Sequence, residues 1–158
     1  MAPTRQETFD SLQQEVYLGL WRTYDRLRML EDELFDQFSL TAQQYNCLRL
    51  LKSASPDSIP TLALAGRLVS RAPDITRMID KLAKQGLVER VTVAENRRTV
   101  GVKITATGKK LLGKIVRPLT LCHQRQLGHL SAAELQQMQA LLEKARAPHE
   151  PLDSMWRA

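Results

Sequence analysis

Between Ile75 and Ile104 the apolar residues change their period, and that change leaves few folds open to the chain. Ile75, Met78, Ile79 and Leu82 recur at helical spacing, which predicts a helix with one buried stripe. Ser70 is expected to cap that helix, and Pro73 to fall in its first turn, where a missing N–H costs nothing. Gly86 is expected to end it as the left-handed residue past the last turn. Leu87 to Val93 and Thr99 to Ile104 then alternate or run β-branched around a polar tip at Ala94 to Arg98, the pattern of a hairpin.

The remaining segments read as helices. From about Glu7 to Phe38, Phe9, Leu12, Val16, Leu20, Leu27, Leu30 and Leu34 keep helical spacing, while Tyr17, Trp21, Tyr24 and Arg28 form a second stripe beside them. Two apolar faces cannot both be satisfied within one small lobe, so one is expected on the chain's own lobe and one on a second copy. Thr41 and Gln44 form a capping-box pattern ahead of a helix over roughly 42–52, with Tyr45, Leu48 and Leu51 inward. A loop over 53–58 and a short strand near Ile59 lead to a short helix, capped by Thr61, that carries Leu62, Leu64, Ala65 and Leu68. After the hairpin, Thr105 to Gly108 opens a helix whose pattern contains Pro118, expected to kink it or shift its start. Ser131 and Glu134 box the start of a last helix with Leu135, Met138, Leu141 and Leu142 on one face. Residues 147–158 read as a tail.

The basic charge is concentrated. The formal net charge is +6, but residues 67–114 hold 12 Lys and Arg against 4 Asp and Glu, while residues 1–66 hold 6 against 9. One basic block is the footprint of a polyanion-binding lobe. No apolar run reaches the length of a membrane span, and the N-terminus lacks a signal-peptide core, so the expected location is cytoplasmic. Cys47 and Cys122 form no CxxC pair, which fits reduced thiols rather than a disulfide framework.

The face of the helix opposite its apolar stripe carries Ser70, Arg71, Asp74, Thr76, Arg77 and Lys81, with Pro73 at its entry. Arginine can fork onto guanine, threonine can touch a thymine methyl or a phosphate, and an exposed first turn can hold a phosphate. The hairpin presents Arg97 and Arg98 on a narrow projection suited to a minor groove or the backbone. Lys103 and Lys109 add longer-range attraction. A cationic helix face is more often only solvated. Helix and basic hairpin in succession, inside the one strongly basic block, favour a double-stranded DNA reader.

These residues also carry a resemblance. Leu82 to Arg90 (LAKQGLVER), the tip Asn96-Arg97-Arg98-Thr99-Val100, Ile104-Thr105-Ala106-Thr107-Gly108-Lys109, and Phe38 to Tyr45 together look like the signature of MarR-type transcription regulators. The similarity covers roughly residues 10–145. It implies a homodimeric winged helix-turn-helix protein with interlocking terminal helices, bound to a pseudo-palindromic operator, usually as a repressor released by a small molecule or by oxidation. The family pattern usually has Asp before the wing Arg pair, where this chain has Asn96, a neutral amide that leaves the tip more positive. The redox-sensing branch carries its reactive Cys in the first helix, and this chain has none there.

The expected architecture is therefore mainly α with a small β-wing. Residues 1–38 form the N-terminal helix of a dimerisation region, 39–106 the winged helix-turn-helix lobe, 107–146 the C-terminal dimerisation helices and 147–158 a tail. The expected function is sequence-specific DNA binding by a ligand-responsive repressor; the alternative is a winged-helix protein-interaction module without DNA binding. Tyr17, Trp21, Tyr24, Arg28 and Tyr45 are the candidate lining for a small aromatic or anionic effector, the aromatics sandwiching a ring and Arg28 taking a carboxylate. The competing reading makes that stripe core or dimer interface. His123, His129, His149 and Cys122 fit no standard zinc spacing. No catalytic constellation is present, so neither an enzyme nor a cofactor is expected.

Overall fold

The computed structural model describes residues 8–70, 74–93 and 96–157 and, over 93 and 96–98, the backbone alone. Among the described residues, six α-helices and three strands run in the order α1 (Leu12–Asp36), α2 (Ala42–Ala54), β1 (Ile59–Pro60), α3 (Thr61–Arg67), α4 (Ile75–Lys84), β2 (Val88–Val93), β3 (Asn96–Ile104), α5 (Ala106–Leu127) and α6 (Ala132–Arg146). The strands form one antiparallel sheet in the order β1-β3-β2, with Ile59 opposite Val102 and Val88 opposite Ile104. This is a winged helix-turn-helix lobe with long helices before and after it.

Several starts and stops follow from local chemistry. Ser11 caps α1 by accepting from Gln14 N, so the helix begins at Leu12 rather than near Glu7. The box at Thr41 and Gln44 forms in both directions, as does the one at Ser131 and Glu134. Gly86 sits at φ 71, and the amides of Gly86 and Leu87 donate to the carbonyls of Ala83 and Leu82. That pair of bonds closes α4 as a Schellman turn, with Leu82 and Leu87 both buried beneath it. The same closure ends α1 at Ser39, which holds φ 54 while Leu40 N reaches back to Phe35 O.

Other expectations give way to tertiary partners. Thr61 does not cap α3; Pro60 takes that place without a side-chain bond, and the Thr61 hydroxyl donates to Val100 O across the sheet. Leu62 faces outward at 86% exposure, while Leu64 and Leu68 go inward. Ser70 does not cap α4 either. Asp74 does, its Oδ1 accepting from Arg77 N at 2.9 Å, so the helix starts at Ile75; Pro73 lies outside the described residues. α2 runs two residues further than expected, to Ala54, and β3 already begins at Asn96, leaving a shorter tip than the 94–98 expected. Pro118 sits inside α5 without shifting its start from Ala106.

The core gathers Phe35, Leu48, Leu51, Ile59, Leu64, Ile79, Leu82, Val88, Val102 and Ile115, from every element of the lobe and from α1 and α5 beside it. A knot of short contacts joins the lobe to α5. Thr105 caps α5 through Gly108 N at 3.1 Å, its hydroxyl donates to Gly86 O at 2.6 Å, and its own amide donates to Leu87 O at 3.0 Å. A Cβ on Gly108 would run into the Leu87 carbonyl, which explains a glycine in the first turn of a helix.

The first and last helices are far less covered. Only the second half of α1, through Leu27, Leu30, Leu34 and Phe35, turns inward; Leu12, Val16, Leu20, Tyr17, Trp21 and Tyr24 leave both apolar faces open. The expectation that one face would pack on the chain's own lobe therefore fails for the first half of α1. α6 buries no residue. The tail is not loose: a 3-10 turn over Ala147–His149 brings Glu150 to Arg146, whose guanidinium lies 5.7 Å from the Trp156 ring. Among the described residues, no helix is long and apolar enough to cross a membrane.

Candidate nucleic-acid interface

The short helix α4 places its outward face by burying the opposite one. Ile79 and Leu82 are buried and Ile75 and Met78 partly so, which leaves Thr76, Arg77 and Lys81 exposed together with Asp74. Asp74, Arg77 and Lys81 line one open cleft, while Thr76, also exposed, lines a neighbouring one. Arg71 and Pro73 lie outside the described residues. Ser70 is exposed just before them, where its hydroxyl accepts from Gln43 Nε2 at 2.8 Å. Asp74 changes what the first turn can do. Its carboxylate already satisfies the Arg77 amide, so that amide is not open for a phosphate.

The hairpin stands beside this face. Arg97 and Arg98 lie on the backbone of β3 near its tip, and their side chains are outside the described residues. Lys103, lower on β3, is paired with Glu89 of β2 at 3.1 Å, so its charge is largely answered within the hairpin. Lys109 is exposed on the first turn of α5.

Two groups that the sequence reading passed over hold helix and wing together. Arg90 of β2 meets Asp80 of α4 at 2.6 Å and reaches Thr76 O at 3.5 Å. Opposite charges ten residues apart, with a helix-ending glycine between them, were the available signal. Both side chains are part-exposed, so the pair is worth little as stability and more as geometry: it sets the wing against α4. Gln43 and Gln44, with Thr41, form the far wall of an open cleft of about 300 Å³ whose near wall is Asp74, Arg77 and Lys81. A second cleft of about 400 Å³ is lined by Thr61, Thr76, Arg90 and Val100.

In the single chain the aromatic stripe is open. Tyr17, Trp21 and Tyr24 are 65%, 63% and 64% exposed, and Arg28 is paired with Asp32 at 3.2 Å. Tyr45 is half-buried on α2, stacked on Phe35 with ring centroids 4.8 Å apart. Neither cleft is lined by any of the five. Cys47 is fully buried, and burial pushes its thiol up to about 12, which keeps it protonated and unreactive at neutral pH.

Comparison with known proteins supports the same reading. The model of the MarR family matches residues 40–100. A MarR transcription factor from Planctomyces limnophilus is 55% identical over 87% of this chain and 99% of its own, with a TM-score of 0.68. A mutant MarR from E. coli, solved in complex with operator DNA, is 26% identical over 86% of this chain and 99% of its own, with a TM-score of 0.75. The MepR–DNA complex from S. aureus is similar in fold, with a TM-score of 0.74 at 24% identity, over 84% of this chain and 97% of its own.

Proposed function

The chain belongs to the MarR family and is a DNA-binding transcription regulator rather than an enzyme, and from that premise we propose that it acts as a homodimeric, ligand-responsive repressor on a pseudo-palindromic operator. The observation that carries this reading is the exposed Thr76–Arg77–Lys81 face of α4, fixed against a basic wing by Asp80 and Arg90. Each copy would lay α4 in a major groove, with the two centres about 10 bp apart on one side of the duplex. Ser70, Arg71, Pro73, Asp74, Thr76, Arg77 and Lys81 would serve the groove, and Arg97 and Arg98 the wing contacts. Asp74 serves there as a helix cap that orients Arg77.

The homodimer rests on the uncovered apolar faces of α1 and α6. The stripe of Tyr17, Trp21, Tyr24 and Arg28 would wall an effector site only where a second chain covers it; a small aromatic or anionic compound remains the class it fits. The E. coli relative bound to operator DNA supports the operator reading by similarity. A module serving protein contacts alone is the weaker reading, because it leaves a basic face and wing without a partner.

Titration onto the chain's own upstream DNA, with and without a panel of aromatic acids, tests the proposal. The expected result is a saturable shift that weakens at high salt and is reversed by one of the acids. Arg77→Ala is expected to lose roughly 1–3 kcal/mol at the preferred site while leaving random DNA almost unaffected. Equal loss on both would reduce Arg77 to a phosphate contact, and salt-independent failure to bind would favour the protein-interaction module.

A further inference from the structure

Among the described residues, the buried polar side chains are Asn46 and Gln126. Gln126 is the more informative. It lies on α5 one turn beyond Cys122, on the face that also buries Leu112, Ile115 and Leu119, and it is only 7% exposed. An apolar side chain would be the ordinary choice there, because a buried amide is costly unless both of its ends are bonded. Both ends are. Nε2 donates to the carbonyl of Leu27 in α1 at 2.8 Å, and Oε1 lies 2.7 Å from Nδ1 of His123. A carbonyl can only accept, so the Gln126 nitrogen must face Leu27, and His123 must carry a proton on Nδ1. The link spans α1 and α5, which also meet through apolar side chains and through Glu31 of α1 facing His123 and Cys122 of α5.

Apolar contact is non-directional and lets helices rotate or slide at small cost, whereas a hydrogen bond to one carbonyl specifies both register and rotation. The joint is well placed to matter. α5 carries the reading lobe through Thr105 and Gly108, while α1 carries the largest uncovered apolar face. The 22 residues of α5 make a lever of about 33 Å. A rotation of about 5° at one end of such a lever moves the other by about 3 Å, close to the rise of one base pair.

We propose that Gln126 is a positioning residue for operator recognition: its bond to Leu27, with the amide held in orientation by His123 of the same helix, sets the angle of α1 on α5 and so the separation of the two readers. The proposal rests on the dimeric reading above. It makes Gln126 a determinant of half-site spacing without any contact to DNA.

The test uses the full chain and a set of duplexes in which the spacing of the preferred half-sites is changed by one or two base pairs. Wild type is expected to favour one spacing by about tenfold or more. Gln126→Leu, which keeps the volume and removes the bonds, is expected to flatten that preference while leaving dimerisation and random-DNA affinity in place. Gln126→Glu separates bonding from packing: an ionised carboxylate cannot donate to Leu27, but a protonated one can. The carboxyl would face His123, and an ordinary glutamate titrates near 4.5, so the spacing preference is expected to be absent at pH 8 and to recover only as the pH falls toward that value, against wild type measured over the same range.

A wild-type spacing order retained by Gln126→Leu would overturn the proposal. Loss in both variants without recovery as the pH falls through 4.5 would also overturn it, leaving packing alone. A wild-type dimer indifferent to spacing overturns the inference together with the operator reading, and that outcome is told apart by needing no variant.

Discussion

Glu31 stands where three helices meet, with Tyr45 of α2 and His123 and Cys122 of α5 close enough to exchange charge effects with it. Half-burial raises its carboxyl above the ordinary value of 4.5; His123 opposes that shift and Asp32 adds to it. The sign follows from linkage. A folded-state value above the unfolded one means that the folded chain holds this proton more tightly, so the contribution of Glu31 to stability improves as pH falls from neutral through the raised value. At neutral pH the ionised carboxylate is a burden. Glu31→Gln is therefore expected to raise the melting temperature at pH 7, with the gain shrinking to nothing as the pH nears 4. Thermal unfolding of both proteins across that range checks it, and a lower melting temperature for the variant at pH 7 would mean that attraction to His123 outweighs desolvation. Residue-scale chemistry of this kind is poorly visible in a sequence. Glu31 is one of many acids on α1, and only the fold brings a histidine 92 positions away beside it. Cys47 is the easier case, since it stands beside Leu48 on a helix whose apolar side is readable in the sequence, where a thiol behaves as a small hydrophobe.

The knot at the start of α5 ties three elements by backbone groups, so a single methyl group should disturb all of them. Gly108→Ala puts a Cβ against the Leu87 carbonyl, next to the Schellman turn that ends α4 and the bond from Thr105 to Gly86. Backbone cannot swing aside as a long side chain can, so the expected loss is about 1–3 kcal/mol, the usual range for an overpacked site. Chemical denaturation measures it; a loss within about 0.5 kcal/mol, as at an ordinary surface site, would show that the turn relaxes freely. The motif Ile104 to Lys109 was legible before the fold was known, but its reason was not, because the Leu87 carbonyl lies across a turn and a hairpin. Element ends divide in the same way. Thr41 with Gln44, Ser131 with Glu134, and Gly86 were readable because every partner is within a few residues. Thr61 and Ser70 misled because distant partners, Val100 and Gln43, claim their hydroxyls. Pro73 held a clue against Ser70, since proline drives the residue before it out of helical geometry. On the interface, Thr76, Arg77 and Lys81 were legible as the complement of an apolar stripe, whereas the Asp80–Arg90 link was not.

The uncovered faces of α1 and α6 pose a problem that one chain alone does not solve. The chain exposes 12012 Å², whereas a compact monomer of 18.0 kDa is expected to expose about 8,000 Å². Apolar residues contribute to it: Leu12, Val16, Leu20 and Trp21 on α1 face outward, as do Leu135, Met138, Leu141 and Leu142 on α6. A second copy offering the same faces would cover both sets at once, since a two-fold interface pairs one patch with its own image. Association with a second copy over these faces would couple folding to dimerisation, so the melting temperature of wild type is expected to rise with protein concentration. Placing carboxylates in the faces by Trp21→Glu with Leu141→Glu should leave a monomer in sedimentation equilibrium, because an unpartnered charge in an apolar interface is costly. DNA binding should then separate into two parts. Random-sequence affinity, carried by the basic block of each chain, is expected to persist at low salt. Operator affinity is expected to fall by about 100-fold or more, since two half-sites held by one dimer gain from effective concentration what two monomers cannot. A monomeric wild type at micromolar concentration, or a monomeric variant with undiminished operator affinity, would sever the long helices from the reading of DNA.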